Sequence, residues 1–332
     1  QMEKGAEPTV FEPKESEQAE AAPADLIASS EQEWPRIKIN GVAIAAEAIQ
    51  SAKAFRFVHL TDIHVQPERR AEEGLRACLA SIHALKPRPD IIITTGDLVM
   101  DALAASEERA NKLFDLYNRI CRDSDIPIRN CIGNHEVFGW QSKGRIPSDH
   151  ADYGKKMSRD RLGLENTTYS FDHQGWHFCM VDDILPNEGE GYHGGISDED
   201  MEWLDRDLAA AGDRPKAICA HIPILSVAVF RGLEARDKNT LEIQRRRVCR
   251  NPGPILELLK KHRVNLVLTG HLHQNERLEL DGTTYIGEGA VSGAWWKGAH
   301  LGNPEGFGII DVKADGAFEH RYHEYVWKAE KA

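Results

Sequence analysis

Three features that often identify a protein class are missing from this sequence of 332 residues. No apolar run approaches the roughly 20 residues that a helix needs to cross a bilayer, so we expect no membrane span. The six cysteines form no C-x-x-C pair and show no dense spacing, which favours buried free thiols over disulfides. Basic residues number 41 against 53 acidic ones and form no footprint typical of a nucleic-acid-binding protein.

The acidic charge is concentrated near the start of the chain. Nine acids against two lysines give residues 1–33 a net charge of −7, which leaves −5 of the total of −12 for the rest. The same stretch is rich in Glu, Ala, Pro and Ser, and we predict that it is disordered. We expect one domain over 34–332, beginning with a hairpin over 36–44 that turns at Asn40-Gly41.

Two features give opposite indications of the cellular compartment. Unpaired cysteines favour a reducing compartment such as the cytoplasm. The acidic stretch that follows Gln1 resembles a tether left after processing, or a remnant of cloning, and the first reading favours the periplasm or secretion. Both locations stay open as alternatives.

Strand-like and helix-like segments alternate from residue 55 onward. Apolar runs predict strands over 55–61, 90–95, 126–132, 169–171, 176–181, 216–220, 264–269, 284–287, 307–312 and 318–326. Apolar spacing of three and four predicts helices over 69–86, 106–121 and 254–262, and a further one that turns Met201, Leu204 and Leu208 inward. This order predicts an α/β core with mixed sheets, in which loops at the carboxyl ends of several strands converge on one crevice.

Five of these apolar runs end in side chains that can bind metals. The segments are Asp62-Ile-His64, Gly96-Asp97, Gly133-Asn134-His135-Glu136, Ala220-His221 and Gly270-His271-Leu272-His273. They supply seven oxygen and imidazole donors and no thiolate: Asp62, His64, Asp97, Asn134, His221, His271 and His273. That donor set is typical of a binuclear metal centre rather than a structural zinc site. One such motif occurs by chance in most chains, but five in this order at strand ends do not.

A centre of this kind favours the hydrolysis of phosphate esters. Two divalent or mixed-valence ions about 3.5–4 Å apart would activate a bridging water and hold both oxygens of an in-line displacement. Phosphate esters fit better than amides, because two cations clamp a phosphoryl group that otherwise repels hydroxide. We predict that Asp97 bridges the ions and that His135 acts at the leaving oxygen as a general acid or cationic stabiliser. Glu136 is predicted to orient the His135 imidazole.

The ordered set D-x-H, G-D, G-N-H-E, H and G-H-x-H resembles the motifs of the calcineurin-like metallophosphoesterase superfamily over residues 55–312. The resemblance implies a four-layer α/β/β/α sandwich of two mixed sheets flanked by helices, and two ions drawn from Mn, Fe, Zn and Ni. It also implies a division of the ligands between the ions. One ion would take Asp62, His64, Asp97 and His273, and the other Asp97, Asn134, His221 and His271, with His135 catalytic.

Two positions depart from patterns found in that superfamily. Met100 stands where plant-type purple acid phosphatases carry a metal-bound tyrosine, so an iron–tyrosinate site is not expected. Glu136 stands where many members have Asp, a change that the family often shows. The motif spacing is most similar to that of bacterial class III cyclic-nucleotide phosphodiesterases.

Three insertions, at 137–168, 222–252 and 290–305, are expected to determine the substrate. The candidate substrate contacts are Trp140, His193, Trp295, Trp296, Lys297 and His300. Aromatic rings beside cations would stack a base or sugar and hold a distal charge. For Trp295 and Trp296, loop packing is an equal alternative, and for the run Arg245–Arg247 a solvated helix face or ion pairs are favoured.

The leading hypothesis is a metal-dependent phosphodiesterase or phosphatase that acts on small, nucleotide-like phosphate esters. A nuclease or a nucleotide-sugar pyrophosphatase on the same centre is the alternative, although the mildly acidic body of the chain counts against nucleic acid as a substrate. A binding scaffold without catalysis would belong to a different class. Such a scaffold should have lost ligands or His135, and this chain keeps all of them. The oligomeric state is left open.

Overall fold

Two large β-sheets carry most of the apolar strands in the computed structural model, which describes residues 54–231, 246–313 and 315–329. In chain order the strands are β1 (Phe55–Leu60), β2 (Ile91–Thr95), β3 (Ile128–Cys131), β4 (Tyr169–His173), β5 (Trp176–Met180), β6 (Ile184–Pro186), β7 (Tyr192–Gly194), β8 (Lys216–Cys219), β9 (Leu266–Thr269), β10 (Glu276–Leu280), β11 (Thr283–Gly287), β12 (Gly306–Val312) and β13 (Phe318–Glu324). The helices are α1 (Ala71–Ala84), α2 (Glu107–Arg122), α3 (Lys156–Leu162), α4 (Asp198–Ala210) and α5 (Pro252–Lys261). All of these elements lie within one compact unit, residues 48–332.

Each large sheet combines parallel and antiparallel strands: the second sheet is antiparallel at both edges, and the first only at the β12–β13 edge. The first sheet has the order β13-β12-β1-β2-β3, with β1, β2 and β3 parallel. The second has the order β10-β11-β9-β8-β5-β4, with β5, β8, β9 and β11 parallel. Strands β6 and β7 pair separately. Parallel strands present their carboxyl ends at the same edge of a sheet, which is where ligands bind in α/β folds.

Alternation of side chains along the strands produces the four layers. In β1, Phe57 enters the core between the two sheets, whereas Val58 and Leu60 face the helical side. Helices α1 and α2 bury Leu75 and Phe114 against that outer face of the first sheet. Helices α4 and α5 cover the second sheet in the same way. The expected α/β/β/α sandwich is confirmed.

Most predicted elements are present, with boundaries shifted by a few residues. Helix α2 begins after Ser106, whose hydroxyl accepts a hydrogen bond of 3.3 Å from the Arg109 amide and so caps the helix. Strands β6, β7 and β10 and helix α3 were not predicted. Strands β6 and β7 have three residues each, and β10 has five. Strands β6 and β7 also lie in a Gly-rich stretch without a clear hydrophobic period.

Some predictions concern residues outside the described ranges. These are the disordered segment 1–33, the hairpin over 36–44, the boundary at residue 34 and the middle of the insertion at 222–252. None of the described helices has both the length and the apolar content that crossing a bilayer requires. The six cysteines are free, and five of them are buried, as expected.

Candidate metal centre

The five donor segments meet at one edge of the sandwich. Those of Asp62, Asp97 and Asn134 follow the parallel strands β1, β2 and β3 of the first sheet. His221 and His271 follow β8 and β9 of the second sheet. The facing sheets therefore bring donors from distant parts of the chain to one place.

The first group of donors consists of Asp62, His64 and His273, all buried. The Nε2 atoms of His64 and His273 lie 3.1 Å apart, and His273 Nε2 lies 3.2 Å from Asp62 Oδ1. Asp62 Oδ1 accepts no hydrogen bond from any described residue. A buried carboxylate oxygen without a partner is costly unless a cation lies against it.

The second group consists of Asp97, Asn134, His221 and His271. His221 Nε2 lies 3.2 Å from both Asp97 Oδ2 and Asn134 Oδ1, and 3.1 Å from His271 Nδ1. Asp97 Oδ2 is also 3.7 Å from His64 Nε2 of the first group. The Asp97 carboxylate therefore lies between the two groups.

Main-chain carbonyls determine which imidazole nitrogens point into the site. His221 Nδ1 donates to Thr95 O at 2.7 Å, His273 Nδ1 donates to Gly293 O at 2.6 Å, and His271 Nε2 donates to Arg246 O at 2.7 Å. In the neutral rings the opposite nitrogens carry lone pairs, and those of His221 and His271 face each other at 3.1 Å. Two facing lone pairs repel unless a proton or a metal ion lies between them, so a divalent ion fits these inward-facing nitrogens in place of the proton.

Burial and nearby charges shift the pKa values of the histidines in opposite directions. Burial lowers the pKa of His64 to about 4, and burial together with the charge of His221 lowers the pKa of His271 to about 3. Burial acts against protonation of His221 too, but the nearby Asp97 outweighs it and raises the pKa to about 10. Burial also opposes ionisation of Asp62, yet His273 holds the pKa of that carboxyl well below its usual range. The site thus keeps its carboxylates ionised, as metal ligation requires.

The backbone of the donor loops is strained. Five of the seven predicted ligands have φ between 46° and 68°, the left-handed region that residues other than glycine rarely adopt: Asp62, His64, Asp97, His271 and His273. Strain of this kind persists only where the surrounding structure enforces it, and it concentrates at functional sites. The left-handed conformations therefore cost the fold some stability, and they direct these side chains towards one point.

His135 lies at the edge of the same cluster, with Nε2 3.8 Å from Asp97 Oδ2. Its Nδ1 donates a hydrogen bond to the carbonyl oxygen of Met100. Because a carbonyl can only accept, Nδ1 carries the proton in the neutral ring and Nε2 faces the cluster. Met100 therefore contributes its main chain, and its side chain provides no metal ligand.

The prediction that Glu136 orients the His135 imidazole is wrong. Glu136 is fully buried, and its carboxylate accepts hydrogen bonds from the amides of Asp97, Val99 and Gly133 at 2.8, 2.9 and 2.7 Å. Burial and the charge of Asp97 raise the pKa of Glu136 to about 7. The carboxylate joins the loops that follow β2 and β3, and among the described residues it makes no hydrogen bond to the His135 ring.

Sequence reasoning also missed Asp183, a buried carboxylate beside His221. It accepts hydrogen bonds from the amides of His221 at 3.3 Å and Ile222 at 2.7 Å. The residue follows the apolar run that ends at Val181, so the strand-end pattern applied to the other donors could have found it. The carbonyl acceptors Thr95, Gly293 and Arg246 leave no signal in a sequence, since every residue carries a carbonyl.

The six predicted substrate contacts have different surroundings. Trp295 and His300 lie beside the first donor group, with ring centroids 4.6 and 5.4 Å from that of His273. Trp296 is 1% exposed in the helical core, which contradicts its predicted contact with substrate. Trp140 is partly buried under the Lys155 ammonium group, which lies 5.8 Å from the ring centroid. His193 hydrogen-bonds Asn187 Oδ1 at 3.1 Å, and Lys297 is exposed.

Comparison with known proteins gives a consistent result. The model of the family described as calcineurin-like phosphoesterase matches residues 55–275. A protein named as a probable glycerophosphodiester phosphodiesterase of Arcobacter nitrofigilis is 24% identical, over 65% of this chain and 71% of its own length. A 3′,5′-cyclic-nucleotide phosphodiesterase of Nostoc sp. is also 24% identical, over 69% of this chain and 75% of its own. A dimetal phosphatase from Danio rerio shares the fold with a TM-score of 0.55 at 16% identity, covering 82% of this chain and 99% of that one.

The sandwich, the donor cluster and the family match together define a metal-dependent hydrolase of phosphoric ester bonds. The chain belongs to the calcineurin-like phosphoesterase family. Divalent metal ions are its cofactors.

Proposed function

We propose that the protein is a phosphodiesterase that uses two divalent ions to hydrolyse small, nucleotide-like phosphate diesters. The observation that supports two ions is the position of Asp97 Oδ2 between the two donor groups, 3.7 Å from His64 Nε2 and 3.2 Å from His221 Nε2. Relatives named as phosphodiesterases of cyclic nucleotides and glycerophosphodiesters support a diester as the substrate.

The residues of the chain would divide the work as follows. Asp62, His64 and His273 hold one ion, Asn134, His221 and His271 hold the other, and Asp97 bridges both. Bound ions supply Lewis-acid activation of water and of the phosphoryl oxygens. The P–O bond to the leaving group breaks as the new P–O bond to the attacking oxygen forms. His135 has Nε2 facing the site. In its imidazolium form the ring carries a second proton on Nε2 and would donate it to the leaving oxygen or stabilise the charge there.

A hydrolysis panel tests this function directly. The protein would be stripped with a chelator, reloaded with Mn²⁺, and assayed on an aryl phosphate monoester, an aryl diester and 3′,5′-cyclic AMP. We expect activity to vanish on stripping, to return on reloading, and to be highest on the diesters. Exclusive activity on monoesters, or full activity after exhaustive chelation, would contradict the proposal.

Elemental analysis of the same preparations tests the number of ions. Two equivalents of metal per chain are expected, and Asp97→Ala should lose both activity and most of the bound metal because it removes the shared ligand. Val227→Ala, which changes an exposed residue, is a suitable control and should retain both. Full metal content in Asp97→Ala would rule out a bridging role for this carboxylate.

A further inference from the structure

Trp295 is a tryptophan that the fold places directly beside the imidazoles of the first donor group. Its ring centroid lies 4.6 Å from that of His273 and 6.0 Å from that of His64. The His300 ring approaches Trp295 edge-on, with the centroids 5.6 Å apart. Trp295 is only partly buried, whereas the two imidazoles beneath it are buried. An indole edge or face is therefore available to a molecule that enters the site.

The backbone at this point is strained in an unusual way. Trp295 and Trp296 are consecutive and have φ of 53° and 65°, although bulky aromatic residues rarely adopt the left-handed region. Each such residue costs free energy that the surrounding structure must supply. Favourable contacts offset the strain on Trp296, since its ring is buried and its Nε1 donates to His64 O at 3.0 Å. Trp295 has no comparable core contact.

The segment 291–296 is fixed directly to the donor residues. Ser292 Oγ donates to Asp62 O at 2.7 Å, and Gly293 O accepts from His273 Nδ1 at 2.6 Å. The Trp296 ring is seated over Gly74, where a Cβ atom would lie 2.1 Å from the nearest ring carbon. With its two sides anchored, the segment holds Trp295 at a set distance from the imidazoles.

Positive charge surrounds the same rings. Arg231 donates to Leu301 O at 3.1 Å, within the loop that carries His300. The positive charges of Arg247 and Arg231 also act on the His300 imidazole. Among the described residues Arg247 and Lys297 make no ion pair. An aromatic surface flanked by cations suits a ligand that combines a planar ring with an anionic phosphate.

We infer that Trp295, supported by His300, is a specificity-determining residue that stacks on a planar aromatic ring of the substrate. The inference rests on the proposed function and narrows its small, nucleotide-like diesters to those that carry a nucleobase or a similar ring. The inference also distinguishes between the substrates named for the two relatives, because a nucleotide offers such a ring and a glycerophosphodiester does not. The strain at Trp295 is maintained for recognition and contributes nothing to folding.

The test compares 3′,5′-cyclic AMP with glycerophosphoglycerol, a diester that has no aromatic ring. Three variants separate recognition from packing: Trp295→Phe retains a planar ring, Trp295→Ala removes it, and Trp295→Asn removes it while accepting a left-handed backbone. We expect the Ala and Asn variants to lose about 10- to 100-fold in kcat/KM for cyclic AMP, mostly through KM, and to change little for glycerophosphoglycerol. Trp295→Phe should recover most of the loss.

Thermal unfolding provides the second readout. Trp295→Asn should keep or raise the Tm of the metal-loaded protein, because the strain is relieved and no core contact is lost. Trp203→Ala is the matched control, since Trp203 is a partly buried tryptophan of α4 that packs against the second sheet; it should lower Tm without changing the ratio of the two substrates. Equal losses on both substrates, or a clear fall in Tm for Trp295→Asn, would overturn the inference.

Failure of the proposed function can be recognised separately. If the wild-type protein hydrolyses neither diester, that function is wrong, and Trp295 is then tested through inhibition of any monoesterase activity by AMP and by glycerol 3-phosphate. Weaker inhibition by AMP alone in Trp295→Ala would still support stacking. An unchanged AMP inhibition constant would reject it.

Discussion

Main-chain carbonyls determine the chemistry of the histidine donors. His221, His271 and His273 each donate from one ring nitrogen to a carbonyl oxygen, at 2.6 to 2.7 Å. The proton is thereby kept on the outer nitrogen and the lone pair on the inner one, which is the arrangement a metal ligand needs. His135 follows the same rule through Met100, so its Nε2 faces the cluster.

Replacing His135 should separate metal binding from proton transfer. In His135→Ala we expect full metal content and a kcat reduced by about 10²- to 10⁴-fold, the usual contribution of a general acid. The loss should be greatest for alkyl leaving groups, which need a proton, and smallest for p-nitrophenolate, which does not. The measurement is kcat for a matched pair of aryl and alkyl diesters with Mn²⁺ in excess. Equal rates for wild type and variant on the alkyl ester would remove His135 from the mechanism.

Single residues could be predicted where the side chain alone decides the role. The donors Asp62 and Asp97 follow strands in the sequence, and the structure brings them together. Trp295 and Trp296 could not be told apart, because they are identical neighbours in one glycine-rich loop. The surroundings of the two rings differ because of two left-handed backbone conformations and the space over Gly74. The local sequence shows neither feature.

At the scale of the elements, Glu136 joins two strand ends. It lies in a 3-10 turn after β3 and accepts hydrogen bonds from the Gly133 amide beside that turn and from the Asp97 and Val99 amides after β2. One carboxylate thus satisfies three buried donors in the two loops that carry Asp97 and Asn134. The distance between these two side chains depends on it.

Glu136→Gln should weaken both the fold and the metal centre. The amide nitrogen cannot accept a hydrogen bond, so at least one buried N–H loses its partner at a cost of about 1–3 kcal/mol in the free energy of unfolding. We expect a lower Tm, weaker metal binding and an activity that excess metal partly restores. Calorimetry and metal titration check this. A variant with normal Tm and metal affinity but a reduced kcat would instead favour the rejected role beside His135.

The strands and the longer helices were predictable because their hydrophobic periods are clear. Helix α2 has its cap at Ser106, and β1 and β2 are rich in apolar and β-branched residues. The missed elements β6 and β7 are three residues each and are stabilised by pairing with one another. Contacts of that kind are tertiary, so a local pattern does not show them.

At the scale of the whole molecule, the candidate metal centre is complete only because the two sheets face each other. The first sheet supplies Asp62, His64, Asp97 and Asn134, and the second supplies His221, His271 and His273. Ions that bind these ligands bind the folded chain and not the unfolded one, so they add to its stability.

Chelation should therefore destabilise the protein measurably. An ion present at 100 times its Kd adds about 2.7 kcal/mol, which corresponds to a fall in Tm of about 4 °C when it is removed from a chain of this size. Scanning calorimetry with and without chelator checks the change, with Asp97→Ala as the control that should respond little. A wild-type Tm that does not change on complete removal of metal would contradict the proposed ligand set.

The order of the donors along the chain has a consequence for biosynthesis. Asp62 leaves the ribosome 209 residues before His271, and His273 and the anchoring segment 291–296 follow later still. A nascent chain cannot offer a full ligand set to any ion until then. We therefore expect metal to load at the proposed centre only after both sheets have been synthesised, so that a bound ion would indicate that the two sheets have joined.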